Sequence, residues 1–422
     1  MKSSPVKEHS PTQAVDLVDQ AMIEALDSGL FMQTATMAGG QCGIFNVDGQ
    51  DLRNFGSCSY LGLERRPELI LGAESALREF GTQFSFSRGY LQSSLYLELE
   101  HNLGRICQGH VLVTASTTLG HISSIPILVH QNDSVIVDQF AHASLQIATG
   151  LLNGTKQCHS RHGRMKQLQT LVERESRNHE RVWYVCDGLY SMHGDWAPLD
   201  SLADLLETYP KLCLYIDDAH STSWTGRRGR GYALDKFAGH DRVVIALSLN
   251  KAFSAAGGAL VFPDREQYCK VRRCGGPMLF SGPIQPPMLG AAVASSRLHL
   301  VPEFSLLQTS ELERIRRVLG LAGLYGVPLG SIDETPIFFV PCGDEQLAFG
   351  LVRALRARGF YCCASVFPAV PRKRAGIRFT ISLHNSFEDI DDFMRVLAEE
   401  TRRLGVLANQ SRIISQVETN AD

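Results

Sequence analysis

The chain has 422 residues, 44% of them hydrophobic, and a formal net charge of −3. That is enough for a large core divided over two or three domains, and so even a charge balance favours neither nucleic acid nor an anionic membrane surface as a general partner. Eleven cysteines are scattered with no C-x-x-C pair, which argues against a disulfide framework or a zinc cluster, and no metal is expected.

The opening residues, MKSSPVKEHSPTQAVDLVDQ, lack the apolar region of a secretory signal. No run approaches the roughly 20 apolar residues of a membrane span. A reduced, cytoplasmic protein without a membrane span is the expectation. Residues 1 to about 20 and 406–422 are polar and read as loosely held ends. From there short apolar runs alternate with helical patterns. VLVTAS (111–116), SVIVD (134–138), RVWYVCD (181–187), LCLYID (212–217), RVVIALSL (242–249) and GALVF (258–262) read as strands buried on both faces. HASLQIATGLL, MKQLQTLVERES and LDSLADLLETY carry apolar residues at helical spacing between them. This alternation predicts an α/β fold with an open, mainly parallel sheet and a ligand site beyond the carboxyl ends of its strands. Near residue 290 the pattern changes. TPIFFVPC, EQLAFGLVRALRARGF, GIRFTISL and EDIDDFMRVLAEETRRL predict a smaller α+β unit. The expected organisation is an N-terminal arm over 1–60, a large domain over 61–290 and a small C-terminal domain over 291–422.

The strand ends collect the polar residues. They hold Ser116, Thr117 and Thr118; Asp138 with His142; Asp187 with Ser191; Asp217 with His220; and Ser248 with Lys251. Each alone has a plain explanation, since Asp and Ser often cap the helix after a strand and a lone lysine is normally solvated. In a parallel sheet, however, these ends open on one edge. A lysine, hydroxyls, carboxylates and histidines then share a crevice. That set meets the needs of pyridoxal phosphate. Its aldehyde needs a lysine amine for a Schiff base, and its ring nitrogen needs a buried carboxylate to stay protonated. Its phosphate needs hydroxyls and N–H groups at a helix start, and its ring needs a flat side chain to stack on. Lys251 and Asp217 fill the first two needs.

The ordered segments DQFAHAS, DGLYSMHGDWAPL, DDAHS and SLNKAFSAAGG, with SYLGLERRPEL before them and GIRFTISLHNSFEDI after, resemble the α-oxoamine synthase family of fold-type-I pyridoxal phosphate enzymes. The likeness runs from about residue 59 to 390 and implies a homodimer. Its branches include 8-amino-7-oxononanoate, 2-amino-3-ketobutyrate and sphingoid-base synthases. By this resemblance Lys251 corresponds to the Schiff-base lysine, Asp217 to the aspartate facing the pyridine nitrogen, and His220 to the histidine near the phenolic oxygen. His142 corresponds to the histidine stacked on the ring. Ser116, Thr117, Thr118 and Ser248 stand at the phosphate, with Ser191 in the same cofactor-binding set. Ser281, in MLFSG, matches a serine that reaches the phosphate of the other subunit, and Arg378 matches the arginine that grips the substrate carboxylate, a task suited to a planar fork.

The resemblance implies decarboxylative condensation of an α-amino acid with an acyl-CoA or acyl-carrier-protein thioester to give an α-aminoketone. Other reactions of the fold, transamination or retro-aldol cleavage, use the same lysine and aspartate, and a non-catalytic partner subunit is a further alternative, though such subunits tend to lack the lysine. Three segments depart from the glycine-using members. Cys58-Ser59 replaces Asn-Asp, TQFSFSRGYLQSS replaces a loop rich in glycine and serine, and His193 stands where Asp is common. YLQ within that loop resembles instead the branch making ketone quorum-sensing signals. An amino acid larger than glycine is therefore expected. The basic runs RRGR (227–230) and RKR (372–374) read either as solvated loops or as contacts for a phosphate of coenzyme A or an acidic carrier protein.

Overall fold

Val182–Asp187, Leu212–Asp217 and Val243–Ser248 are buried at every position, because helices cover the sheet they belong to on both sides. The computed structural model describes residues 11–38 and 43–406. Much of the two polar ends therefore lies outside the described residues. Two compact units emerge. The larger comprises Cys58–Ser191 and Asp195–Glu313; the smaller comprises the chain up to Ser57, Met192–Gly194 and the residues from Arg314 onward.

The larger unit is built on seven strands: β1 (His110–Thr114), β2 (Ser134–Asp138), β3 (Lys156–Ser160), β4 (Val182–Asp187), β5 (Leu212–Asp217), β6 (Val243–Ser248) and β7 (Gly258–Phe262). They lie in the order β1-β7-β6-β5-β4-β2-β3. All pairings are parallel except those of β7, which runs antiparallel to both β1 and β6. Side chains alternate across this sheet. Val113, Ile136, Leu214 and Ile245 join one core cluster, while Leu112, Val135, Trp183, Tyr215 and Val244 join the cluster on the opposite face. One strand, β3, has no apolar run in the sequence. It sits at the sheet edge with a half-exposed pattern, so its polar KQCHS is tolerated there. The expected strand at 111–116 ends at Thr114, since Ser116 already caps the helix Thr117–Leu128.

The link from β6 to β7 is short. Ser248 pairs with Gly258 across the ladder, and residues 249–257 between them form a loop closed by Leu249 N–H to the Gly257 carbonyl at 3.0 Å and Ala255 N–H to the Leu249 carbonyl at 2.8 Å. Lys251 lies in this loop.

In the smaller unit Ile337–Gly343, Ala375–Thr380 and Cys363–Ser365 form an antiparallel sheet with Ala375–Thr380 at its centre. Helices Glu345–Ala357 and Phe387–Arg403 accompany it, the second opened by a capping box of Ser386 and Asp389. Phe55, Phe360, Phe379 and Phe393 pack together in its core, Phe55 stacked on Phe393 and Phe360 edge-on to both. A second sheet joins Ala35–Met37, Ile44–Val47, Gln50–Asn54 and Phe360–Tyr361. Among the described residues no helix is long and apolar enough to cross a membrane, and no described cysteine forms a disulfide.

Candidate active site

The site begins where β1 gives way to the helix Thr117–Leu128. Ser116 is its N-cap, with the side-chain oxygen accepting from Leu119 N–H at 3.1 Å. The Thr117 hydroxyl donates to the Leu247 carbonyl at 3.1 Å, which ties the helix start to the end of β6. Gly258 makes that approach possible. A Cβ there would lie 2.5 Å from Thr117 N. The first turn of this helix is thereby held in place as an anion-accepting end. On the neighbouring strand Ser248 donates its hydroxyl to Asn250 Oδ1, and Lys251 follows.

At the last residue of β5, Asp217 is 6% exposed. Its Oδ1 accepts from Ala219 N–H at 3.0 Å and its Oδ2 lies 2.9 Å from His121 Nε2. Burial alone would raise its pKa, but the charge and hydrogen bond of His121, with Lys251 and His142 nearby, hold it down at about 2. Asp187, opposite it in the β4–β5 register, goes the other way: burial and the neighbouring Asp217 push its carboxyl well above the usual range. The proton affinities of the two carboxylates are thus pulled apart, Asp217 downward by His121 and Asp187 upward by burial and its charged neighbour. Asp187 Oδ1 accepts the His142 N–H at 3.0 Å, and this fixes the start of the helix Ala143–Gly150. The His142 ring is held through Nδ1, 2.6 Å from the Ser144 hydroxyl, and burial lowers its pKa, so a neutral, flat imidazole faces the site. His220 is 8% exposed, with Nδ1 at 2.9 Å from the Tyr60 hydroxyl.

Ser116, Thr117, Thr118, His142, Asp217, His220, Ser248 and Lys251 all line one cavity of about 190 Å³, every wall of which comes from the larger unit. An amine, a charged carboxylate on a strand end, a flat neutral ring and a helix start converge there. This donor set fits pyridoxal phosphate.

The chain matches the Aminotransferase class I and II family over residues 50–395. It is 30% identical over 373 residues to the mitochondrial 2-amino-3-ketobutyrate coenzyme A ligase of Bos taurus, covering 86% of each chain. It is 32% identical over 349 residues to the 8-amino-7-oxononanoate synthase of Maricaulis maris, covering 82% of this chain and 85% of that one. This chain is an α-oxoamine synthase-family protein. A serine palmitoyltransferase of Sphingomonas wittichii has the same fold, with a TM-score of 0.85 at 21% identity over 94% of this chain and all of that one. The α-oxoamine synthase family is pyridoxal-phosphate dependent and joins an amino acid to an acyl thioester.

Three residues expected in the α-oxoamine synthase site do not line the cavity. Ser191 is half-buried in the larger unit, just before the Met192–Gly194 stretch that groups with the smaller one. Ser281 ends the short helix Gly276–Phe280, and its hydroxyl oxygen is buried without a hydrogen-bond partner. Arg378 is 8% exposed in the central strand of the smaller unit. Two residues absent from the expected set belong to the site: Asp187, visible in the sequence only as one more strand-end acid, and His121, which reads as a core histidine in an apolar helix. Nearby, His162 lies between Asp138 Oδ1 at 3.3 Å and Asp195 Oδ2 at 2.6 Å. Burial opposes its charge, yet hydrogen bonds to the two carboxylates raise its pKa to about 9. It therefore cross-links, as a cation, the segment leading to His142 and the one leading away from Ser191.

Proposed function

We propose that the protein condenses an α-amino acid larger than glycine with an acyl-CoA or acyl-carrier-protein thioester. A carbon–carbon bond forms between the amino acid Cα and the thioester carbonyl carbon, the thiol leaves, and the carboxylate departs as CO2. The carrying observation is the convergence of Lys251, Asp217, His142 and the helix start at Ser116–Thr118 on one cavity.

When bound, pyridoxal phosphate supplies the electron sink that makes a Cα carbanion accessible. Lys251 Nζ is its covalent anchor and the base that takes the Cα proton. Asp217, kept charged in a buried setting, holds a proton on the ring nitrogen. His142 would give the ring a flat neighbour, and His220, steadied by Tyr60, would serve the phenolic oxygen. The first turn of Thr117–Leu128 and Ser248 hold the phosphate, with Ser191 near them. Arg378 takes the substrate carboxylate.

The amino acid is argued from Cys58-Ser59 and from the 84–92 segment, both rewritten relative to glycine-using relatives. Titrating the common amino acids and S-adenosylmethionine against the yellow holoenzyme is expected to give spectral changes that deepen on adding acyl-CoA with a larger amino acid. Glycine alone responding would defeat the argument from these segments. Arg378→Ala is expected to weaken binding of the preferred amino acid by about 2–5 kcal/mol, the cost of leaving a buried charge unpaired. A wild-type titration by that variant would place the carboxylate elsewhere.

The working form is a cytoplasmic homodimer in which Ser281 serves the neighbour's phosphate, a reading supported by its buried, unpartnered hydroxyl. Mixing the inactive Lys251→Ala protein with a Ser281→Ala protein is then expected to restore part of the activity through mixed dimers. A fully active monomer in sedimentation would end this reading.

A further inference from the structure

His121 lies one helical turn beyond Thr117 and is wholly buried. Its Nε2 is 2.9 Å from Asp217 Oδ2 and its Nδ1 is 3.0 Å from the Tyr215 hydroxyl. Tyr215 and Asp217 are alternate residues of β5 and so present side chains to the same helix. Beyond the histidine the line continues. The Tyr215 hydroxyl is 2.9 Å from Ser124 Oγ, which is 2.8 Å from the Gly120 carbonyl oxygen.

Counting hydrogens gives this line a direction. A carbonyl oxygen only accepts, so the single hydrogen of Ser124 goes to Gly120. Ser124 Oγ must then accept the hydrogen of Tyr215, whose phenol burial keeps protonated. The Tyr215 oxygen in turn accepts from His121, so Nδ1 carries a hydrogen. Nε2 faces a carboxylate that also accepts the Ala219 N–H. A bare nitrogen lone pair against that carboxylate would be repulsive, so Nε2 carries a hydrogen too.

We propose that His121 is a positioning residue for the reaction: its ring, with hydrogen on both nitrogens, holds Asp217 ionised and aimed, and the line from Gly120 enforces that state. The aspartate is then charge-balanced and oriented before any cofactor arrives, which is preorganisation in the electrostatic sense. The pairing also explains why a carboxylate is tolerated in so buried a position beneath the site. This inference rests on the role proposed above for Asp217.

The test uses full-length holoenzyme carrying histidine labelled with NMR-active nitrogen. One histidine, identified by its disappearance in His121→Asn, is expected to show hydrogen on both ring nitrogens. Tyr215→Phe keeps the ring and removes the oxygen, and is expected to erase the Nδ1 hydrogen signal of that histidine alone. His121→Asn keeps a donor to Asp217 but no charge, and its cofactor dissociation constant is expected to rise about tenfold, the gap between a charged and a neutral hydrogen bond. A neutral ring at His121, or cofactor held by His121→Asn as tightly as by wild type, would overturn the proposal. Failure of the function proposed above shows differently, as loss of the covalent link at Lys251 with the His121 signals intact.

Discussion

Lys251→Ala is expected to cut turnover by about a thousandfold or more, since in the proposed mechanism it removes both the anchor and a proton-transfer group that by itself supplies about 10²–10⁴. The fold should survive, because the loop around it is closed by main-chain bonds, among them Ser254 N–H to the Lys251 carbonyl at 2.8 Å. Borohydride treatment followed by mass measurement of the tryptic peptides is the check. Wild type should carry the reduced cofactor on the peptide containing Lys251, and the variant should carry none. A covalent adduct in Lys251→Ala would mean that another amine does the work.

Asp217→Asn should be almost as damaging for a different reason. The amide keeps the shape and still accepts the Ala219 N–H, but the negative charge proposed to hold the ring nitrogen's proton is gone. A loss of about a hundred- to a thousandfold in kcat is expected, the range for removing one preorganised electrostatic partner. Asp217→Ala adds a stability penalty of about 1–3 kcal/mol, because it leaves the buried Nε2 of His121 without its hydrogen-bond partner. Steady-state rates and denaturant midpoints on the two variants separate these effects. Wild-type turnover by Asp217→Asn would remove the aspartate from the chemistry.

Much of this was readable from residues alone, and the reasons are physical. β2, β5 and β7 coincide with SVIVD, LCLYID and GALVF because strands buried on both faces leave unbroken apolar runs. β3 could not be read that way, since an edge strand need not be apolar. The direction of β7 was also illegible: an apolar run looks the same read either way, and only pairing with β1 and β6 decides it. At the site, residues that follow strands directly, such as Asp217, His220 and Lys251, were legible because sheet topology alone gathers them. His121 was not. Its meaning depends on Asp217 and Tyr215, nearly a hundred positions away in the chain, and periodicity in a helix says nothing of a partner on the facing strand. Ser116 was legible in both of its aspects, as a cap and as a cavity wall, and it is both.

Every other step between consecutive strands of the large sheet passes through a helix, and a helix can slide or rotate a little without disturbing the ladders it connects. The step from β6 to β7 has no such slack. Residues 249–257 are pinned at one end by β6, at the other by β7, and the two strands are bonded to each other. A residue inserted or deleted there would have no neighbouring element to absorb it and would put the Ser248–Gly258 pairing out of step. The amine of Lys251 is consequently located the way a tool is located in a fixture rather than on an arm. The segments at Cys58-Ser59 and 84–92 do not join two paired strands, so among the residues named for the reaction it is the amine whose place tolerates the least change in chain length.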